Sequence, residues 1–128
     1  MSIFTKIING EIPSYKITEN EDFFVFLDIN PNALGHTLVV PKQEVDKVFD
    51  LDDVLYLKLM QYSKTIASAM EKALPCKRVG MSVIGLEVPH VHVHLIPLNE
   101  MADATFTKKV KMNETQFLET AKKIASHL

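Results

Sequence analysis

A single cysteine, Cys76, is all the thiol that the 128 residues carry. No internal disulfide is therefore available, and no Cys-x-x-Cys pair exists to build a structural zinc site. No basic block of five or six residues occurs; the densest run, "KKVK" at 108–111, reads as a solvated face. With 14 Lys+Arg against 16 Asp+Glu the formal charge is −2, so a polyanion such as nucleic acid is not the expected partner. A small phosphate ligand remains possible, because it needs only local positive character. No run approaches the length of a membrane span, and the opening "MSIFTKIING" lacks the apolar core of a signal peptide. A reducing cytoplasm is the expected setting, with no membrane partner. Low-complexity tracts, internal repeats and Gly/Ser linkers are missing too. The apolar share of 47% and charged share of 23% are ordinary for a globular chain, and one domain over 1–128 is expected.

The patterns that are present place the elements. "SIFTKIING" reads as a short helix with Ser2 as N-cap, apolar Ile3, Phe4, Ile7 and Ile8, and Gly10 as its stop. "SYKITEN" is a strand ending in a polar turn. "DFFVFLDI" (22–29) is a strand apolar nearly throughout, hence covered on both faces. "NPNALG" (30–35) is turn chemistry before a third strand, "HTLVVP" (36–41). A long helix over 51–74 follows, with an acidic entry that suits the helix dipole, apolar residues at steps of three and four (Leu55, Leu59, Tyr62, Ile66, Ala69, Ala73) and Pro75 as terminator. Residues 77–85 and 91–97 read as two further strands. Asn113 with Gln116 forms a capping box that opens a final helix with Phe117, Ala121, Ile124 and Leu128 on one side. The order implies an α+β fold: about five mostly antiparallel strands with one long and two shorter helices.

Chemistry concentrates in "VPHVHVHLIP" (88–97). On a strand, His90, His92 and His94 share one face, while Val91, Val93 and Leu95 take the other and anchor the strand in the core. Neighbouring imidazoles on that face stand about 6–7 Å apart. Three readings fit. The face is a half-exposed polar one that happens to use histidine. It chelates a metal, with Glu87 or Asp28 as a further ligand. Or it performs phosphate chemistry, with a neutral imidazole as nucleophile and its neighbours as hydrogen-bond donors.

"HVHVHLIP" resembles the signature of the histidine triad (HIT) superfamily, His-φ-His-φ-His-φ-φ with φ apolar. "IFTKIINGEIPSYKI", "FVFLDINPNALGHTLVVPK" and the long helix resemble the amino-terminal half of Hint-like members in the same order, so that only the tail after about residue 100 lies outside the resemblance. The resemblance implies the HIT-like fold and a nucleotide hydrolase. His92, the middle histidine, would attack the α-phosphorus and form a nucleotidyl-histidine, with His90, His94 and His36 in support. Asp28 would accept from ribose hydroxyls; Phe4, Ile7, Phe26 and Ile29 match positions lining the base pocket, where plain core packing is the alternative. His94 stands where the nucleotidyl-transferring branch has glutamine, which implies water as final acceptor. The substrate implied is a small nucleotide conjugate of AMP or GMP with a P–N bond. A dinucleoside polyphosphate hydrolase of the Fhit-like branch, or a nucleotide-binding protein with vestigial chemistry, are the alternatives. No cofactor is implied, and relatives form homodimers that pair their sheets. His127 reads as a solvated tail residue.

Two departures stand out. Hint-like members carry a longer loop before the triad, ending Gly-Gln-(Ser/Thr)-Val-x-His; here "IGLEVPH" keeps Gly85, puts Leu86 in place of glutamine and Glu87 in place of the hydroxyl residue. A carboxylate near a phosphate is repulsive unless protonated, paired or turned away. Glu87 would then either orient a cationic leaving amine or slow the site. Some bacterial relatives also hold zinc, but Ser2 and Thr5 occupy its cysteine positions and Glu44 that of a histidine ligand, so a resident metal is not expected.

Overall fold

The computed structural model describes residues 1–128. Five strands, β1 (Lys16–Glu19), β2 (Phe23–Leu27), β3 (Thr37–Pro41), β4 (Arg78–Ser82) and β5 (Val93–Leu98), form one sheet in the order β1-β2-β3-β5-β4. Every pairing is antiparallel. Three helices accompany it: α1 (Ile3–Ile8), α2 (Asp53–Ala73) and α3 (Glu114–Ala125), with 3-10 turns at Val48–Asp50 and Met101–Ala104. No helix is long and apolar enough to cross a membrane.

Side-chain alternation divides the sheet into two covered faces. Phe23, Val25 and Leu27 of β2, Val39 of β3 and Val93 and Leu95 of β5 turn to one side, against Leu55, Leu59, Ile66 and Met70 of α2 and Phe117, Ala121 and Ile124 of α3. Phe24, Phe26, Leu38 and Val40 turn to the other, where Phe4 of α1 closes a smaller cluster. All five residues of β2 are buried, as its unbroken apolar run implies.

The caps read from the sequence are in place. Ser2 accepts from the Thr5 N–H at 3.0 Å, and Asn113 and Gln116 exchange bonds at 2.8 Å each. Two expectations shift. Leu128 is 50% exposed, because the last helix ends at Ala125 and its final residues leave the core. β5 begins at Val93 rather than 91, so His90, at the end of a bend, and His92 lie ahead of it. The Val91 N–H bonds to the Val45 carbonyl at 2.8 Å, outside the sheet ladder. The alternation nonetheless persists, since Val91 is packed in the larger core with Val93 and Leu95. β1 and β4 are the two edges of the sheet.

The loop joining β2 to β3 is closed by the Asp28 N–H on the His36 carbonyl (2.9 Å) and the His36 N–H on the Ala33 carbonyl (3.1 Å). Gly35 makes this turn possible at φ +98°, and a Cβ there would run into Leu74. Gly35→Ala should therefore lower stability by about 1–3 kcal/mol in a denaturant titration. The substitution should also displace His36, the next residue along the turn.

Candidate active site

Sheet register brings the histidines together. Leu38 of β3 pairs with His94 of β5, which sets His36, one residue ahead of β3, beside the His94 ring. The ring centroids of His92 and His94 lie 4.8 Å apart and those of His94 and His36 5.2 Å. Phe4 of α1 meets His92 edge-on at 4.8 Å and His90 at 5.8 Å. All four imidazoles are buried, His92 and His94 retaining 7% exposure and His36 and His90 none.

Hydrogen-bond direction fixes where their protons sit. A carbonyl only accepts and an amide N–H only donates. His92 Nδ1 lies 2.7 Å from the His90 carbonyl, so it carries the proton and Nε2 keeps its lone pair. That Nε2 has no partner within the protein and is not enclosed. His36 Nδ1 accepts from the Asn32 N–H at 3.0 Å, so Nε2 holds its proton and donates to His94 Nδ1 at 2.9 Å. His94 then bears its proton on Nε2, also without a protein partner. One free acceptor and one free donor thus stand side by side.

His90 differs from its neighbours. Its Nε2 donates to the Pro41 carbonyl at 2.8 Å and its Nδ1 accepts from the Ser2 hydroxyl at 2.6 Å, so neither nitrogen faces a ligand. The ring holds the backbone whose carbonyl orients His92. Ser2 is steadied in turn by Glu44, whose Oε1 accepts from the Ser2 N–H and from the Thr5 hydroxyl, each at 2.6 Å. These two bonds, the Ser2 N–H first, hold the Glu44 carboxyl down to about 2.

Ser2, Thr5, Glu44 and His90 therefore meet where the resemblance puts zinc in some relatives. Zinc is held by thiolates, imidazole lone pairs and carboxylates. Two hydroxyls stand in for the thiolates here, and the lone pair of His90 Nδ1 is already engaged. The donors do not fit the ion, and hydrogen bonds join α1 to the triad instead. A second trio, Asp28, His36 and His94, gathers its ligand atoms within 4.8 Å of one another. There the proton on His36 Nε2 occupies the direction a metal would need, so the trio suits a relay better than a chelate.

The remaining residues line the mouth unevenly. Asp28 accepts from the Asn30 N–H at 2.9 Å on Oδ1, and Oδ2 lies 3.6 Å from His36 Nε2. Burial raises its pKa, against the Asn30 N–H and the nearby Lys109 and His92. Ile29 is 72% exposed and Ile7 half-buried, whereas Phe4 and Phe26 pack edge-to-face at 5.7 Å within the smaller cluster and offer little free surface. Gly85 takes φ +77°. Leu86 is 90% exposed, and Glu87 is exposed with no ion-pair partner, although its charge reaches both Asp28 and His92. His127 lies exposed at the far end of α3.

Three residues were not singled out from the sequence: Asn32, Phe106 and Lys109. Asn32 is fully buried, and the Phe106 ring stands edge-on to His94 at 4.8 Å and to His36 at 6.0 Å. The turn "NPNALG" signals a loop but not that one amide of it sets a tautomer. Phe106 and Lys109 lie in a span without periodicity.

With this geometry in view, comparison with known proteins is direct. Residues 9–101 match the HIT domain family. An uncharacterized HIT-like protein of Borreliella burgdorferi is 36% identical over 118 residues, 87% of this chain and 85% of that protein. The adenosine 5′-monophosphoramidase of Saccharomyces cerevisiae is 41% identical over 96 residues, 74% of this chain and 61% of that protein. The crystal structure of a HIT-like protein from Bartonella henselae superposes with a TM-score of 0.86 at 31% identity, covering 99% of this chain and 96% of the other.

Burial, above all, lowers the pKa of His92, pushes His94 to about 4 and pushes His36 to about 3; the neighbouring imidazoles and Lys109 act in the same direction on the last two. In the unfolded chain each would titrate near ~6.5. Below that pH the unfolded state takes up protons that the folded state refuses, so stability falls as the pH drops from about 6.5 towards 4. The raised pKa of Asp28 opposes this only near the acid end. Thermal melts should show the midpoint falling from pH 7 to 4.5, with a shallower slope in His36→Asn; a flat profile would contradict neutral burial.

Proposed function

The chain belongs to the HIT domain family, and on that premise we propose that it hydrolyses P–N bonded conjugates of purine nucleoside monophosphates through a nucleotidyl intermediate on His92. One observation carries the proposal. The Nε2 lone pair of His92 is free while its Nδ1–H is held on the His90 carbonyl at 2.7 Å. Attack by Nε2 on the α-phosphorus leaves positive charge on the ring, and that carbonyl is placed to stabilise it. The P–N bonding pair departs with the amine, which takes a proton from water at the open mouth. Water then attacks the same phosphorus and gives up a proton to the solvent, replacing the one the amine took; the bond to His92 breaks and its pair returns to Nε2. Covalent catalysis of this kind replaces one difficult displacement by two easier ones.

The neighbours supply polarity rather than charge. His94 Nε2–H, set by His36, is a donor for a phosphoryl oxygen as negative charge grows there. Asp28 Oδ2 is available to ribose hydroxyls, and exposed Ile29 with half-buried Ile7 offers an apolar wall for a base. The name of the yeast relative agrees with adenosine phosphoramidates as the substrate class. Since the match spans 61% of that protein, its full activity comes to this chain as part of the proposal.

Glu87 narrows the leaving group. Exposed, unpaired, and felt electrostatically by His92, it is suited to hold a cationic amine at the mouth. Conjugates of AMP with lysine-like amines are therefore the preferred substrates.

Replacing His92 with Asn should lower turnover of adenosine 5′-phosphoramidate by at least about 10³-fold. Acid-labile nucleotide should be trapped on the wild-type chain and not on the variant, as mass spectrometry of quenched reactions would reveal. Equal labelling of both would end the His92 assignment. Glu87→Gln and Glu87→Ser separate the two roles of the carboxylate. A role in holding the amine predicts slower turnover of cationic leaving groups, whereas faster turnover in both variants would mark it as an obstruction.

A further inference from the structure

The matched family region ends at residue 101, yet the chain beyond it turns back onto the triad. The 3-10 turn Met101–Ala104 is pinned by Asp103, whose Oδ2 accepts from the Asn99 and Glu100 N–H groups at 2.9 and 3.1 Å. Phe106 follows in the left-handed region at φ 63°, a conformation bulky side chains avoid. That turn aims its ring at His94 and His36. Next, Lys109 Nζ donates to the Asn30 carbonyl at 3.1 Å and to Asn32 Oδ1 at 2.8 Å, and the Val110 N–H donates to the Pro31 carbonyl at 2.9 Å.

Asn32 is where this segment meets the relay. Its Nδ2 donates to the Asp103 carbonyl at 3.0 Å while its Oδ1 accepts from Lys109. A carbonyl at one end and an ammonium at the other allow only one orientation of the amide. The same residue's backbone N–H is the donor that forces the proton of His36 onto Nε2, and His36 in turn sets His94.

We propose that residues 103–110 are a positioning strap in which Lys109, acting through Asn32, holds His36 and hence His94 in the single tautomer that presents Nε2–H to the substrate phosphate. The tail outside the family region thereby becomes part of the working site. The catalytic half of this proposal rests on the hydrolase reading; the tautomer half does not. Phe106 caps the two rings so that water does not compete for their mutual bond. The ionisable groups facing the His36–His94 pair are Asp28 at the end of β2, His92 on the run into β5 and Lys109 on the strap. Only the last belongs to the tail.

Long-range ¹H–¹⁵N spectra of the imidazoles in the full chain at pH 7 give the direct test, with turnover measured alongside. In the wild type, His36 and His94 should each appear as one neutral tautomer protonated on Nε2. Lys109→Met should mix the tautomers, and Lys109→Arg should restore one. For phosphoramidate turnover, Lys109→Met should lower kcat about tenfold or more and leave the Kd for AMP within about twofold. The acid limb of its pH profile should move to higher pH, since the cation that opposes protonation of the pair is gone. Lys109→Arg should recover both. Unchanged tautomers in a folded Lys109→Met chain would overturn the proposal. So would a loss confined to AMP binding, which would make Lys109 a substrate contact instead. An inactive wild type with the expected spectra would leave the strap standing and count against the hydrolase reading alone.

Discussion

The constraint on which the site depends is the two-residue alternation of the chain from Val91 to Leu95 across a sheet that is covered on both faces. Val91, Val93 and Leu95 are committed to the larger core, where each is at most 2% exposed. Slipping the segment by one residue would drive three imidazoles in among Leu59, Ile66 and Phe117 and turn Val91, Val93 and Leu95 out of that core into the polar site. At about 1.5–3 kcal/mol for each apolar side chain lost from the core, such a slip is prohibited. The apolar residues thus hold the histidines in place without touching a substrate. Phe4 does the same from the opposite side, with its ring against both His90 and His92.

On this rigid support, one-way hydrogen bonding does the rest. Pro41 and His90 contribute carbonyls that can only accept, and Asn32 contributes an amide that can only donate. Each neutral imidazole has one donor and one acceptor nitrogen, so fixing either end fixes both. The result is asymmetric: His92 shows a lone pair to the mouth and His94 shows a proton. Three histidines of similar sequence surroundings thereby acquire different chemistry. His90 spends both nitrogens on structure, which is why it lies 0% exposed while the two that follow keep an opening.

Whatever local pattern encodes was legible in the sequence. The alternation of "HVHVH", the buried run "FFVFL", the Asn113–Gln116 capping box and the steps of α2 each depend on neighbours within about a helical turn or a strand, and each stands where the pattern puts it. The shared face of the histidines was readable; the division of labour among them was not. That division arises from contacts between residues far apart in the chain: Ser2 with His90, 88 positions away, Pro41 with His90, 49 away, and Asn32 with Asp103, 71 away. Spacing along a strand also overstates ring separation, because side chains tilt towards one another. The rings of His92 and His94 sit at 4.8 Å, closer than the backbone repeat. The segment from 101 to 110 carried no periodic signal, since its order comes from Asp103, Phe106 and Lys109 engaging the loop at 30–32.

Charge supplies the last step in the choice of substrate. Imidazoles that stay neutral at pH 7 offer dipoles to a phosphate, not full positive charges, and the one ammonium nearby is bound to Asn30 and Asn32. Asp28 and Glu87 add negative character on the same side. In the proposed reaction such a site has a single phosphoryl group to stabilise, one whose charge grows modestly in the transition state. On that reading it has little with which to offset the several charges of a dinucleoside polyphosphate. Glu87 is exposed, so its repulsion of a further phosphate is water-screened, about 1 kcal/mol for a unit pair 4 Å apart. An amine leaving group reverses the sign of the same contact. On the proposed hydrolase reading, the carboxylate that departs from the family pattern should therefore favour a P–N bond over a P–O–P bridge.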